Sequence, residues 1–154
     1  MKKIDLGQAV QLLANVGVLA GIVFLAVEIQ QNTRSQEAIT YQTLMQGIAA
    51  LNEQRLAYPR VVPTIEGQYG ATLQDLDPGD AERVEAFMFQ VIRYADMAYY
   101  HYERGLLSEE RLESAIGPLN GWRCLPIFQE TWLGLRLAFV ESYRRFVDQK
   151  MAEC

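Results

Sequence analysis

The chain has 154 residues, 21% of them charged, with 19 acidic and 14 basic residues and a formal net charge of -5 at pH 7. This length suits one compact domain, or a membrane segment with a small domain, but not two full domains. The acidic balance argues against nucleic acid as a partner, because phosphates are neutralised by clustered lysines and arginines.

The first predicted element is an apolar helix over residues 9–29. Only Gln11, Asn15 and Glu28 are polar in this stretch, and the run 16–27 is apolar or glycine on every side. At about 1.5 Å per residue the helix is roughly 31 Å long, which matches the thickness of a hydrocarbon core. Because a soluble amphipathic helix would have a polar face, the pattern predicts a transmembrane helix.

Two alternatives remain for this segment. In a soluble helical homo-oligomer, residues 9–29 would be buried between subunits, and the polar pair Gln11 and Asn15 favours that arrangement. A cleaved signal peptide would use the charged start "MKK", but Val27 is a poor residue to precede a cleavage point.

One face of the predicted transmembrane helix carries Ala14, Gly17, Gly21 and Glu28, because a spacing of seven residues is nearly two full turns. Gly17 and Gly21 form a GxxxG pattern, which lets a second helix approach closely in lipid. These four residues are therefore predicted to form a helix-contact stripe. Since GxxxG is common by chance, glycines that are merely tolerated in lipid are the alternative.

The predicted domain organisation is a transmembrane helix with a short N-terminal tail over residues 1–31 and a helical domain over residues 32–154. Apolar residues recur at three- and four-residue steps as far as Leu56. This periodicity predicts an amphipathic helix that either continues the span or is broken once near Asn32 and Thr33.

The main break in the helical pattern falls at residues 58–80, which hold three prolines and three glycines. One helical turn is predicted within it, around Thr64–Tyr69. Asp77 is then predicted to cap a helix that begins at Pro78, runs to Arg104 and ends at the following glycine.

The last third of the chain predicts further short helices. Ser108 begins one of them, "GPLNG" interrupts the pattern before Trp122, and Pro126 opens the next helix. The final stretch is rich in turns and has aromatic residues at helical spacing around Tyr143. With no convincing strand, the predicted fold is all-α: an N-terminal transmembrane helix followed by a small helical bundle.

The segment "YADMAYYHYERG" is the most prominent candidate for chemistry, since it holds Tyr94, Tyr99, Tyr100, Tyr102 and the single histidine, His101. Helical di-metal proteins use Glu-x-x-His, whereas here an alanine lies three residues before the histidine. The tyrosines are therefore predicted to line a core with their hydroxyls at its edge. A small enzyme or cofactor binder using this helix is the less favoured alternative, and we assign no catalytic, cofactor-binding or metal residue and expect no cofactor.

The two cysteines, Cys124 and Cys154, form no CxxC pair and are too few for a disulfide scaffold. They are predicted to be two thiols in a reducing compartment. Arg123 beside Cys124 leaves a thiol nucleophile open, although His101, the one candidate base of its type, lies on another predicted helix.

Membrane orientation depends on few charges. Lys2 and Lys3 precede the span and Arg34 follows it, which favours a cytoplasmic N-terminus by the positive-inside rule. The predicted thiols favour the opposite arrangement, so the soluble domain is predicted to be cytoplasmic.

Three segments carry a resemblance to known proteins: "FLAVEIQQNTRS" at 24–35, "AYYHYERGLLSEE" at 98–110 and "YRRFVDQKM" at 143–151. The chain resembles a family of small uncharacterised bacterial proteins with one N-terminal membrane helix and an all-helical domain. It departs from them at Gln30, where relatives often carry arginine, and basic residues after the span in that family point to a cytoplasmic domain. The resemblance implies a membrane-embedded chain and transfers no catalytic residue.

Together these patterns predict a protein of the bacterial inner membrane with a single span. It would serve as an interaction or accessory subunit rather than as an enzyme. The expected partners are membrane lipid and either a second copy of the chain or a larger membrane protein, and nucleic acid is not expected.

Overall fold

The computed structural model describes residues 6–67 and 72–154, and over these ranges it contains α-helices and two short 3-10 turns but no strand. The all-α prediction is confirmed. The helices are α1 Leu6–Ala57, α2 Val61–Gly67, α3 Pro78–Glu103, α4 Glu109–Ala115, α5 Gly117–Trp122, α6 Pro126–Leu135 and α7 Glu141–Ala152.

The chain divides into two compact units, Met1–Ile39 and Thr40–Cys154. Helix α1 is unbroken through Asn32 and Thr33, so of the two predicted alternatives the continuous helix is the one found. Its residues up to Ile39 belong to the first unit, and its remaining residues belong to the second.

The second unit is built around α3, which packs against α2, α4, α5, α6 and α7. The buried residues of α3 recur at helical spacing, so one broad apolar face of this helix can contact several neighbouring helices at once. Asp77 occupies the N-cap position as predicted, but its side chain makes no capping hydrogen bond, which corrects that detail. The buried residues of α3 are Val84, Phe87, Met88, Val91, Ile92, Tyr94, Ala95 and Ala98.

The C-terminal end of α3 is where the sequence predicted it. Gly105 has a φ of 70°, in the left-handed region that favours glycine. The next amide, from Leu106, donates to the carbonyl oxygen of His101 at 2.9 Å and so satisfies one of the last free carbonyls of the helix.

Two predicted interruptions are helical instead. A seven-residue helix, α2, occupies Val61–Gly67, where one turn around Thr64–Tyr69 was predicted; residues 68–71 lie outside the described ranges. The segment "GPLNG" does not interrupt the chain but forms most of α5, and this prediction was wrong. Pro118 lies in the first turn of that helix, where a missing amide hydrogen costs nothing.

An aromatic cluster fills the space between α3, α6 and α7. Trp132, Tyr143 and Phe128 are fully buried. The Tyr143 hydroxyl donates to the carbonyl oxygen of Ile92 at 2.9 Å, and the centroid of its ring lies 5.5 Å from that of Phe139. This hydrogen bond satisfies the one polar atom of a side chain that otherwise contributes apolar area to the core.

Gly47 of α1 is predicted to be essential for packing against α3. A Cβ atom built at this position would lie 2.7 Å from a ring carbon of Tyr94, which is itself buried. Gly47→Ala should therefore lower the free energy of unfolding by about 1–3 kcal/mol, because the ring must leave its rotamer or the helices must separate. Chemical denaturation of the full chain in mild detergent measures this change.

Gly121→Ala is the matched control, since a Cβ at Gly121 in α5 would meet nothing within 4 Å. Its stability should be unchanged or slightly raised, because alanine has the higher helix propensity. Equal stabilities for both variants would contradict the proposed close contact between Gly47 and Tyr94.

Candidate membrane segment and domain surfaces

The first unit exposes a continuous apolar surface on α1. Every residue from Val10 to Ile39 is exposed, and none of its most apolar 18-residue window is buried. The segment is long and apolar enough to cross a membrane. The large apolar side chains exposed there are Val10, Leu12, Leu13, Val16, Val18, Leu19, Ile22, Val23, Phe24, Leu25, Val27 and Ile29.

The predicted helix-contact stripe lies on this exposed surface. Ala14, Gly17, Gly21 and Glu28 are all exposed and fall on one face of α1. A Cβ at either glycine would meet nothing within 4 Å, so a second helix could approach the backbone there. The described part of the chain brings no other segment to the stripe, and the contact stays a prediction.

The tyrosine-rich end of α3 does not form one site, because its members divide between core and surface. Tyr94 is buried, and Tyr99 stacks on Phe146 with ring centroids 4.5 Å apart. Burial raises the pKa of the Tyr94 and Tyr99 hydroxyls, so both stay neutral. Tyr100 and Tyr102 are exposed, and the four tyrosine rings therefore face different environments.

His101 is half-buried beside Tyr100, with the two ring centroids 5.6 Å apart in an edge-on arrangement. Its Nδ1 atom is buried and has no hydrogen-bond partner among the described residues. Residues 6–67 and 72–154 contain no group of three or more histidine, cysteine, aspartate or glutamate side chains placed to hold a metal ion.

The cysteines overturn a prediction. Cys124 and Cys154 are joined by a disulfide, with their Cα atoms 5.4 Å apart, so they are neither two thiols nor a thiol nucleophile in this state. This pairing could not be predicted from local sequence, because the cysteines are 30 positions apart. Their proximity depends on where α7 ends relative to the turn between α5 and α6, which only packing decides.

Ion pairs fasten the end of α7 beside this disulfide. Lys150 Nζ lies 2.9 Å from a carboxylate oxygen of Glu113. A guanidinium nitrogen of Arg123 lies 3.3 Å from a carboxylate oxygen of Glu153. The hydrogen bond from Lys150 lowers the pKa of the Glu113 carboxyl, which favours its charged form.

Two acidic residues of α3, Asp80 and Asp96, form ion pairs with nearby arginines. Asp80 pairs with Arg83 at 3.2 Å and lies 3.8 Å from Arg60. Asp96 lies 3.3 Å from Arg93, although burial raises the pKa of its carboxyl despite this arginine. Both carboxylates are only partly exposed, at 27% for Asp80 and 23% for Asp96.

A shallow cleft of about 250 Å³ opens on the second unit between the end of α1, α2, α3 and α5. The indole nitrogen of Trp122 donates to Glu66 Oε1 at 3.2 Å along its wall, and Arg55 lies at its edge. The tyrosine-rich end of α3 does not line it. The apolar lining residues are Leu51, Val62, Phe87, Val91, Pro118 and Trp122.

Comparison with protein-family models, curated proteins and solved structures found no match. The resemblance to small bacterial membrane proteins therefore stays a prediction.

Proposed function

We propose that this protein is anchored by a single span in the bacterial inner membrane and acts as an interaction or accessory subunit. The observation that carries the proposal is the exposure of twelve large apolar side chains between Val10 and Ile29. Such a surface is unfavourable in water, because burying one such side chain gains about 1.5–3 kcal/mol. The core of a bilayer covers it on every side.

The continuity of α1 supports an anchor over a cleaved leader. The helix passes Val27 and Glu28 without a break, and farther along it Leu44 is a buried core residue. A segment that is removed after export has no need to continue as a helix into a folded domain.

Carbonate extraction of membranes tests the anchor. The full chain should stay in the membrane pellet at high pH, because apolar insertion does not depend on surface charge. Recovery in the soluble fraction would contradict the proposal.

The alternative, a soluble homo-oligomer that buries residues 9–29 between subunits, would cover the same surface. It predicts a monodisperse oligomer that is obtained without detergent. If the protein is instead extracted only by detergent, the anchor is supported and this alternative fails.

The accessory role rests on surfaces. The first unit carries the small-residue stripe, and the second carries an open cleft of about 250 Å³ with Trp122 on its wall. Both are features that suit contact with another macromolecule, and we therefore propose binding rather than catalysis.

The disulfide changes the proposed orientation. The cytoplasmic placement of the domain was supported by basic residues after the span in the resembling family and by Cys124 and Cys154 being thiols. The disulfide removes the second support, because disulfides persist in oxidising compartments outside the cytoplasm. Lys2 and Lys3, which lie outside the described ranges, also favour a cytoplasmic N-terminus. For a single span, we therefore propose that the helical domain lies on the outer side of the membrane.

Reporter fusions to the C-terminus test this orientation. Alkaline phosphatase becomes active only where its own disulfides form, so its fusion should be active in intact cells while a fusion to green fluorescent protein should be dark. An inactive phosphatase fusion together with a fluorescent green fluorescent protein fusion would show that the domain lies in the cytoplasm.

The stripe gives a separate prediction about association of the span. Gly17→Ile and Gly21→Ile should each weaken self-association of the isolated segment in a membrane two-hybrid assay, because a bulky side chain separates the backbones. Val18→Ile and Val23→Ile are the controls, because each enlarges a side chain that is already branched, and they should leave the signal unchanged. Equal signals from all four variants would mean that the glycines are incidental.

A further inference from the structure

The Cys124–Cys154 disulfide lies at the surface of the second unit. Cys124 is in the turn between α5 and α6, and Cys154 follows the end of α7. Both residues are exposed. A thiol reagent can therefore approach the sulfurs without prior unfolding of the domain.

The rest of α7 is held in place without this bond. Tyr143 and Val147 are fully buried, and Asp148 accepts a hydrogen bond of 2.7 Å from the indole nitrogen of Trp132. In contrast, residues 152–154 are exposed. The disulfide therefore constrains mainly the last turn, whereas the core anchors the preceding turns.

The residues before the two cysteines carry opposite charges. Arg123 precedes Cys124, Glu153 precedes Cys154, and the guanidinium lies 3.3 Å from the carboxylate. Along the chain the guanidinium is next to Cys124 and the carboxylate is next to Cys154, so we expect a thiolate to be better stabilised on Cys124 than on Cys154. Exchange is faster when the sulfur that leaves is the better stabilised thiolate, so attack should fall on the Cys154 sulfur.

We propose that the Cys124–Cys154 disulfide is an exchange site for a dithiol oxidoreductase, which opens it in the folded domain and releases the C-terminal turn. A thiolate of the partner attacks Cys154 Sγ, a mixed disulfide forms, and Cys124 leaves as a thiolate that takes up a proton. The second thiol of the partner then attacks the partner's first sulfur, which is bonded to Cys154 in the mixed disulfide. Cys154 is released, the partner gains a disulfide, and two electrons and two protons have moved to this chain.

This inference is independent of the proposed membrane role, because it uses only residues of the second unit. Reduction of the disulfide frees the C-terminal turn of the second unit, while the aromatic core of the unit stays packed. The residues released are 152–154, whose remaining contacts include the ion pair between Arg123 and Glu153.

Reduction of the full chain by dithiothreitol in mild detergent at pH 7.5 tests the proposal. Two thiols per chain should become available to a thiol-reactive dye at 25 °C without denaturant. The far-UV circular dichroism should be unchanged, and the melting temperature should fall by about 10–20 °C, as expected for opening a loop of this size. Hydrogen exchange should accelerate at residues 152–154 and stay slow in residues 144–147.

Two results would overturn the proposal: thiols that appear only after denaturant is added, or loss of helical signal as soon as the bond is reduced. The Cys124→Ser/Cys154→Ser double variant is the control for folding. It should match the reduced protein in circular dichroism and melting temperature.

The direction of attack has its own test, with reduced glutathione as the probe. After brief reaction and alkylation, trypsin cleaves after Arg123 and Lys150, which separates peptide 124–136 from peptide 151–154. Glutathione should be found mainly on peptide 151–154. Arg123→Gln, in which the Cys124 peptide becomes 112–136, should remove this preference. Equal labelling of both peptides in the unaltered protein would refute the assigned direction.

Discussion

Replacing Trp132 with alanine is expected to lower the free energy of unfolding of the helical domain by about 3–5 kcal/mol, the range for removing a large buried aromatic ring. The side chain is fully buried. Its ring centroid lies 5.5 Å from that of Phe139 and 6.1 Å from that of Tyr143. The substitution would leave a cavity bordered by α6 and α7, which these rings cannot close without leaving their own positions.

A polar contribution adds to this loss. The Trp132 indole nitrogen donates to Asp148 at 2.7 Å, and Arg136 also donates to that carboxylate. Trp132→Phe keeps most of the ring but removes this hydrogen bond, so it should cost about 1–3 kcal/mol, as for other hydrogen bonds to a charged group. The difference between the two variants separates packing from hydrogen bonding.

Denaturant titration of the full chain in mild detergent measures both effects. The buried Trp122, 8% exposed, supplies the fluorescence signal in every variant. Leu133→Ala is the matched control next along the chain, because Leu133 is 65% exposed and should change stability by less than about 0.5 kcal/mol. A Trp132→Ala variant as stable as this control would show that the aromatic core is packed differently.

Placing two arginines in the apolar segment, as Leu19→Arg with Val23→Arg, is expected to release the protein from the membrane. Each charge at the centre of a membrane helix costs about 2.5–3.5 kcal/mol on the insertion scale. Both residues are exposed on α1, at 63% and 62%, so the substitutions should leave the helical domain itself folded. The protein should move from the carbonate-resistant pellet to the supernatant or be degraded before insertion.

Leu19→Phe with Val23→Leu is the control, because it alters size and keeps the segment apolar. This variant should stay in the pellet. If the double-arginine variant were retained as firmly as the control, the segment would not be the anchor, and the proposed membrane role would fail.

The sequence predicted the helices most reliably where local chemistry settles the conformation. The start of α3 at Pro78 and its end before Gly105 follow from a fixed proline φ and from a glycine that adopts a positive φ. Ser108 is the N-cap of α4, and its side chain accepts from the amide of Arg111 as a capping serine does. These effects need only neighbouring residues.

Local chemistry also misled at two places. Proline and glycine in "GPLNG" predict an end to helical structure, yet Leu119 in this segment is fully buried and helps hold α5 against the core. In the same way, α2 forms around Ile65, which has no exposed surface. Burial of these side chains outweighs a weak local preference for turns, and a single sequence does not show which apolar residues will be buried.

By itself, the sequence determined the all-α class, the apolar segment of residues 9–29 and the boundaries of α3, because composition, periodicity and capping act over a few residues. Only the tertiary structure decided that Cys124 meets Cys154 and that the tyrosines of α3 divide between core and surface. Those outcomes depend on contacts between residues far apart in the chain. Such contacts are set by how the helices pack around α3, and no local pattern encodes them.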